Sequence, residues 1–140
     1  MKINTKVRYG LRAMIEIASH PIGVLQKDIA DSQTIPLRYL DAIITGLRNA
    51  GLIVNVSGKS SGYILAKKPN QISVYDIYRA FEAELLLVNC SCETKSCERL
   101  SVCPTRDYWF ELNTVIKNTM KSKTLETLLQ EQNEILTTDN

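Results

Sequence analysis

A mainly α chain carrying one small β-hairpin is what this sequence predicts, and three observations predict it. Apolar residues recur at helical spacing in several separate stretches. Between residues 52 and 65 the pattern changes to two β-rich runs around a glycine-bearing turn. All four cysteines fall within residues 90–103, too rich in Ser, Thr, Lys and Glu for regular structure, and a last helical pattern follows them. At 140 residues, with 44% hydrophobic and 23% charged residues, the chain has the composition of one globular domain, or of a domain with an appended helix.

Val7, Leu11, Met14, Ile15 and Ala18 share one face of a first helix, with Thr5 as the expected N-cap. Lys2, Lys6, Arg8 and Arg12 decorate its start. His20-Pro21-Ile22-Gly23 ends it, because proline disfavours helix in the residue before it and glycine breaks the pattern. His20, the only histidine, reads as a helix-end residue rather than a metal ligand.

Residues 27–32 form a short helix with Ile29 and Ala30 inward, and Gln33-Thr34-Ile35 makes a tight connection. Pro36 suits the first position of the next helix. That helix carries Leu40, Ile43, Ile44, Leu47 and Ala50 at i, i+3, i+4, i+7 and i+10, and Gly51 closes it. Two helices joined by so short a turn, with Arg38, Tyr39, Asp41 and Ala42 near the start of the second, have the pattern of a helix-turn-helix. An ordinary helical hairpin fits these residues equally well, and the next residues decide between them. Residues 52–56 and 63–65 are β-rich and flank the turn-rich 57–62, which includes Lys59. A hairpin directly after a recognition helix is a wing, and Lys67 and Lys68 follow its second strand. Ser73 then caps a helix with Asp76 as its capping-box partner and Val74, Ile77, Tyr78 and Phe81 as its inner stripe. Trp109, Leu112, Ile116 and Met120 line one face of a long helix beginning near Thr105. Lys117, Lys121 and Lys123 crowd its end. Leu125, Leu128 and Leu129 suggest one or two further turns, and residues 135–140 read as a frayed tail.

The net charge of +2 conceals an asymmetry. Residues 1–68 carry ten Lys and Arg against four Asp and Glu, whereas residues 69–140 carry seven against eleven. A basic first half suits a polyanionic partner. There is no targeting segment, and the longest aliphatic run, residues 85–88, is far too short to span a bilayer. A cytoplasmic location without membrane association is the expectation, and stable disulfides are uncommon there.

The cysteines Cys90, Cys92, Cys97 and Cys103 leave gaps of one, four and five residues. Structural zinc prefers paired ligands two to four residues apart, so these gaps make a poor zinc knuckle. A Cys-x-x-Cys redox motif is absent. An iron–sulfur cluster, which takes thiolates at flexible spacing, and redox-active thiols without a cluster both remain. No nucleophile–base constellation is visible, so no enzymatic activity is expected.

Several short motifs occur together and in order: residues 1–6 with Arg8-Tyr9 and Ala13-Met14, then Asp28-Ile29-Ala30, Ile35-Pro36, Tyr39-Leu40, Leu47-Arg48 and Gly51-Leu52. Gly58, Gly62-Tyr63, Ile72-Ser73-Val74 and Asp76-Ile77 continue the series. In these the chain resembles, over roughly residues 1–130, the Rrf2 family of winged helix-turn-helix bacterial regulators, which includes the IscR, NsrR and RirA types. The resemblance implies a DNA-binding domain over residues 1–84, a cysteine-rich sensor loop over 85–104, and a dimerisation helix and tail over 105–140. It implies a homodimer that reads a palindromic operator in double-stranded DNA, as a repressor. The residues that would contact DNA are Arg38, Tyr39 and Asp41, with Lys6 and Arg8 from the first helix and Ser57 and Lys59 from the wing. Ser57 stands where the family often has an arginine that enters the minor groove. Cluster-bearing members use three cysteines, and Cys97 and Cys103 match the second and third. The usual fourth ligands fall on Arg106 and Arg8, neither of which can ligate a metal. An all-thiolate site from Cys90, Cys92, Cys97 and Cys103, holding a 2Fe–2S or 4Fe–4S cluster, is therefore the reading. Such a regulator would sense iron, redox state, oxygen or nitric oxide. The alternatives are a cluster-free thiol regulator of the same fold, or a small iron–sulfur electron-transfer protein, which needs neither basic half nor wing.

Overall fold

The computed structural model describes residues 1–56, 62–88 and 102–139. Six α-helices, one two-stranded hairpin and one 3₁₀ turn make up the described chain. In order they are α1 (Thr5–Ala18), α2 (Gln26–Gln33), α3 (Leu37–Asn49), β1 (Ile53–Asn55), β2 (Tyr63–Leu65), the 3₁₀ turn Pro69–Gln71, α4 (Val74–Arg79), α5 (Arg106–Ser122) and α6 (Leu125–Thr138). The fold class is the one the sequence predicts: mainly α, with a hairpin wing and a long helix behind the cysteine-rich stretch.

Helix ends follow their local chemistry. α1 is capped one residue earlier than predicted: Asn4 is the N-cap, Thr5 is the first helical residue, and the Asn4 side-chain oxygen accepts the Lys6 N–H at 2.8 Å. Asn and Thr are both good caps, and Asn has the better-placed acceptor here. Ser73 and Asp76 form the reciprocal capping box at α4, with bonds of 3.1 and 2.9 Å. Pro36 is the N-cap of α3 rather than its first residue, and Gly51 follows the last turn with φ +75°.

One apolar cluster joins the helices. Ala13, Met14 and Ile17 of α1, Ile29 and Ala30 of α2, and Leu40, Ile43, Ile44 and Leu47 of α3 belong to it, with Leu52, Ile53, Ile72, Ile77 and Leu125. Trp109, Leu112, Ile116 and Met120 make α5 half-buried on one side, where it packs on α4. Two polar ties fasten the same junction. Asn113, the buried polar residue of the described chain, accepts the Leu87 N–H at 2.9 Å, and Lys117 pairs with Glu84. That pair holds the Glu84 carboxyl below the ordinary carboxylate range, through the Lys117 hydrogen bond first and its charge second, and raises the Lys117 ammonium. A depressed carboxylate loses its contribution only as pH falls through its folded-state value, and a raised lysine only as pH climbs through its own. The tie is therefore constant across neutral pH.

The C-terminus differs from expectation. Residues 125–138 form a separate four-turn helix rather than an extension of α5, because the chain is extended at Lys123 (φ −88°, ψ 117°). There it runs antiparallel to residues 72–74: the Val74 N–H donates to the Lys123 carbonyl at 2.9 Å and the Leu125 N–H to the Ile72 carbonyl at 2.8 Å. Thr124 then caps α6 by accepting the Thr127 N–H at 3.2 Å. Leu125 is fully buried. α6 lies against α1 and the 3₁₀ turn. Leu125→Ala should cost about 2–5 kcal/mol of stability, read as a lower urea midpoint with an unchanged m-value.

Candidate nucleic-acid interface

The turn between α2 and α3 is tight because Thr34 adopts the left-handed conformation (φ 53°, ψ 49°), the one non-glycine residue to do so among the described residues. The Ile35 N–H then reaches back to the Ala30 carbonyl at 3.0 Å, and Ile35 is buried. With Leu40, Ile43, Ile44 and Leu47 all turned inward, the helical period leaves Arg38, Tyr39, Asp41, Ala42, Thr45, Arg48 and Asn49 exposed on the outer side. The structure thus brings three of the sequence-predicted residues, Arg38, Tyr39 and Asp41, onto one surface.

Neighbouring elements restrain these side chains. The Arg38 guanidinium lies 5.3 Å from the Tyr39 ring centroid, and Tyr39 meets Tyr9 of α1 edge-on at 6.4 Å. Arg12 covers the Tyr9 ring at 5.3 Å, so a cation–aromatic ladder runs from α1 to the start of α3. Gln26, the first residue of α2, donates to Asp41 Oδ1 at 2.5 Å. Lys6 lines a groove of about 450 Å³ with Asp41, Ala42, Thr45 and Asn49, so it too reaches the outer side of α3. Arg8 is exposed and donates to Thr5 Oγ1 at 3.3 Å. Tyr9, Arg12 and Gln26 are not evident from the sequence. Arg12 and Tyr9 are neighbours on α1, but the Tyr9–Tyr39 and Gln26–Asp41 contacts that bring them to α3 join residues distant in the chain.

The wing is held by its own strand pairing, by one side-chain bond from α3 and by the link between α1 and α2. β1 and β2 pair antiparallel, with Ile53 opposite Leu65, Val54 opposite Ile64 and Asn55 opposite Tyr63. Arg48 of α3 donates to Asn55 Oδ1 at 3.3 Å. Val24, in the link between α1 and α2, exchanges two backbone hydrogen bonds with Tyr63, at 2.8 and 3.2 Å, as a third short strand would. The strands leave no room at Gly62, where a Cβ would lie 2.9 Å from both the backbone N and O of Val24. Lys67 and Lys68 are exposed beyond β2. The predicted wing residues Ser57 and Lys59 lie outside the described residues, as do Cys90, Cys92 and Cys97. Cys103 is described: it is partly exposed, its Sγ is 3.1 Å from Thr105 Oγ1, and it lies three residues before α5 begins. Among the described residues no three His, Cys, Asp or Glu side chains are placed to hold a metal ion. No helix of the described chain is long and apolar enough to cross a membrane.

Gly62→Ala should push the wing away from Val24 and cost roughly 1–3 kcal/mol. Chemical denaturation of the variant beside the parent chain measures that loss.

Comparison with known proteins follows the same outline. The chain matches the Rrf2 family, described as "Iron-dependent Transcriptional regulator", over residues 3–131. It is 37% identical over 135 residues to the protein rrf2 of Nitratidesulfovibrio vulgaris, covering 94% of this chain and 89% of that one. Among solved structures it superposes on CymR, the global cysteine regulator of B. subtilis, with a TM-score of 0.77 and 32% identity over 94% of this chain and 98% of that one. It superposes equally well on T. potens IscR, with a TM-score of 0.78 and 33% identity over 96% and 90% of the two chains. A helix-turn-helix with its wing fixed beside it, matched over nearly the whole length, settles the class: the chain is not an enzyme but belongs to the Rrf2 family of DNA-binding transcriptional regulators.

Proposed function

We propose that this regulator reads a palindromic operator as a homodimer in the cytoplasm, and represses from it. We further propose that the chemical state of the thiols between residues 90 and 103 sets its operator affinity. The observation that carries the DNA-reading half is the outer face of α3, where Arg38, Tyr39, Asp41 and Thr45 are exposed together beside an anchored wing. Arg38 and Asp41 are assigned to base edges: a guanidinium fork suits guanine, and a carboxylate accepts from a cytosine amino group. Lys6, Arg8, Ser57 and Lys59 are assigned to the phosphate backbone and groove edge. The homodimer is supported by α5, whose Tyr108, Phe110 and Val115 are 57%, 57% and 61% exposed on the two flanks of the face packed on α4. In this reading residues 1–84 form the reader, 85–104 the sensor and 105–140 the dimerisation unit.

For the sensor, thiol chemistry without a cofactor is the leading version. Likeness to a global cysteine regulator supports it, as do Arg106 and Arg8 at the positions where a fourth ligand would be needed. Oxidation of two of these thiols by peroxide would join them as a disulfide. Two electrons and two protons pass to the peroxide, which leaves as two waters. The second version is an iron–sulfur cluster, favoured by the family's iron-dependent description and the likeness to IscR. The donor set suits it chemically, since thiolates are the ordinary cluster ligands. Cys90, Cys92, Cys97 and Cys103 would hold the cluster, which would supply sensitivity to iron, oxygen or nitric oxide.

Anaerobic purification followed by visible absorption, native mass spectrometry and operator titration separates the two versions. The thiol version predicts a colourless chain whose operator affinity shifts with peroxide and returns with dithiothreitol, and Cys103→Ser or Cys97→Ser abolishes the shift. The cluster version predicts a visible chromophore that Cys97→Ala and Cys103→Ala eliminate, with Cys90→Ala or Cys92→Ala leaving a labile cluster. A colourless chain indifferent to peroxide rejects both.

Arg38→Ala should weaken operator binding by on the order of 1–3 kcal/mol at one base position of each half-site. An equal loss on random DNA would instead make Arg38 a phosphate contact. Competition titrations with single-base operator variants distinguish the outcomes.

A further inference from the structure

Phe81 follows α4 and stands at the head of the segment that leads to the cysteine-rich stretch. Its ring is gripped between two helices at glycine. A Cβ added to Gly10 of α1 would lie 2.5 Å from Phe81 Cε2, and one added to Gly46 of α3 would lie 2.5 Å from Cε1. These are opposite edges of the ring, so it fills the space between the α1 and α3 backbones from side to side. Glycine inside a helix weakens it, and here two helices carry that cost at the two places where a Cβ would force the ring to shift. Gly46 also lies on the same turn as Thr45, in the helix whose outer face is exposed for reading.

The residues after Phe81 are tied at nearly every step. The Asn4 side chain donates to Glu82 Oε1 at 2.7 Å, and Glu84 pairs with Lys117 of α5. The Leu85 N–H donates to the Tyr75 hydroxyl at 3.4 Å and the Leu87 N–H to Asn113 of α5 at 2.9 Å. Leu85, Leu86, Leu87 and Val88 then line a cavity of about 520 Å³ with Trp109 and Leu112 of α5. A continuous path of packed groups and hydrogen bonds thus runs from Gly46 through Phe81 and residues 82–88 to α5. Close-packed interiors do not absorb small shifts locally, and a ring held on both edges has no slack in the plane of the clamp.

We propose that Phe81 is a positioning residue for the recognition helix. Seated in the Gly10–Gly46 notch, it couples the placement of α3 to that of residues 82–88 and α5. The proposal rests on the reading of α3 as the DNA-reading helix, and supplies the route by which an event behind Phe81 reaches it. It also implies the reverse: engagement of α3 by DNA is felt at α5.

Trp109 is the only tryptophan and lines the cavity at the far end of this path, so it reports on the coupling without a label. The probe is a DNA duplex recovered with the wild-type full-length chain from a randomised library, with binding followed separately by anisotropy of the labelled duplex. Wild-type Trp109 emission should change in step with duplex saturation. Phe81→Ala should bind the duplex more weakly and, at saturating duplex, lose the emission change. Gly46→Ala, which keeps the ring but ejects it from the notch, should shift Trp109 emission in the free protein. The double variant Gly46→Ala/Phe81→Ala should return that emission to the Phe81→Ala value. Circular dichroism confirms that each variant is folded, and if Phe81→Ala is not, the Gly46→Ala arm decides alone. A full emission change in folded Phe81→Ala, or unaltered free-protein emission in Gly46→Ala, overturns the coupling. Failure of the wild-type chain to select any duplex would instead overturn the DNA-reading assignment, and the Gly46→Ala arm would still judge the notch.

Discussion

Leu40, Ile43, Ile44 and Leu47 are removed from water in the same cluster as Met14, Ile17 and Ile29, and this burial decides where every polar side chain of α3 points. Each fully buried aliphatic side chain contributes roughly 1.5–3 kcal/mol relative to exposure, so the stripe as a whole resists rotation strongly. Advancing the helix by one residue would turn it by about 100°. That turn would bring Arg38 or Asp41 toward the core without a partner, and an unpaired buried charge is far more costly than any surface contact could offset. The functional face is therefore the complement of an apolar one. Gln26, Tyr9 and Arg48 refine that placement through contacts that are individually weak.

This division explains what was legible in the sequence. The stripe of α3 from Leu40 to Leu47, the capping box at Ser73 and the closing Gly51 are signals carried within a few residues, and each is where the structure has it. Ala50, predicted to continue the stripe, is instead the exposed C-cap. The same locality exposed Arg38, Tyr39 and Asp41, since residues interleaved with a buried helical stripe must face outward. What could not be read depends on distant partners. The Val24–Tyr63 bridge, the Gln26–Asp41 bond and the glycine notch around Phe81 each join residues at least fifteen positions apart. The separate helix α6 went unseen because its break from α5 is set by hydrogen bonds to residues 72–74, not by a proline or glycine at the break. Phe81 was legible as an inward residue, but not as a wedge, because Gly10 and Gly46 have meaning only once they face each other.

Charge separates along the chain in a way that fits this arrangement. The basic excess of the first 68 residues includes Lys6, Arg38, Lys67 and Lys68, all exposed and none needed for packing. Among the described cations of the second half, three serve internal ties: Lys117 on Glu84, Lys123 on Glu131, and Lys117 and Lys121 against the Tyr75 ring at 5.8 and 5.2 Å. Exposed pairs of this kind add little stability singly. Their placement around α5 does fix the long helix in azimuth, which the half-buried face of Trp109, Leu112 and Ile116 would do less well alone.

That azimuth matters because α5 carries exposed apolar residues on both flanks of its buried stripe. A surface helix of a globular domain ordinarily buries one stripe and hydrates the other. Here Trp109, Leu112 and Ile116 meet the body of the chain, while Tyr108 and Val115 on one flank and Phe110 on the other stay exposed. Such a helix is built to lie between two bodies. With Asn113 and Lys117 holding it to residues 84–87, the body on this side includes the segment that begins at Phe81, and the body proposed for the other side is a second copy. A change in how two α5 helices meet would then act on the segment behind Phe81 in both subunits together, and through the notch on both recognition helices. A symmetric operator requires that kind of paired adjustment, because its two half-sites are read at a fixed separation.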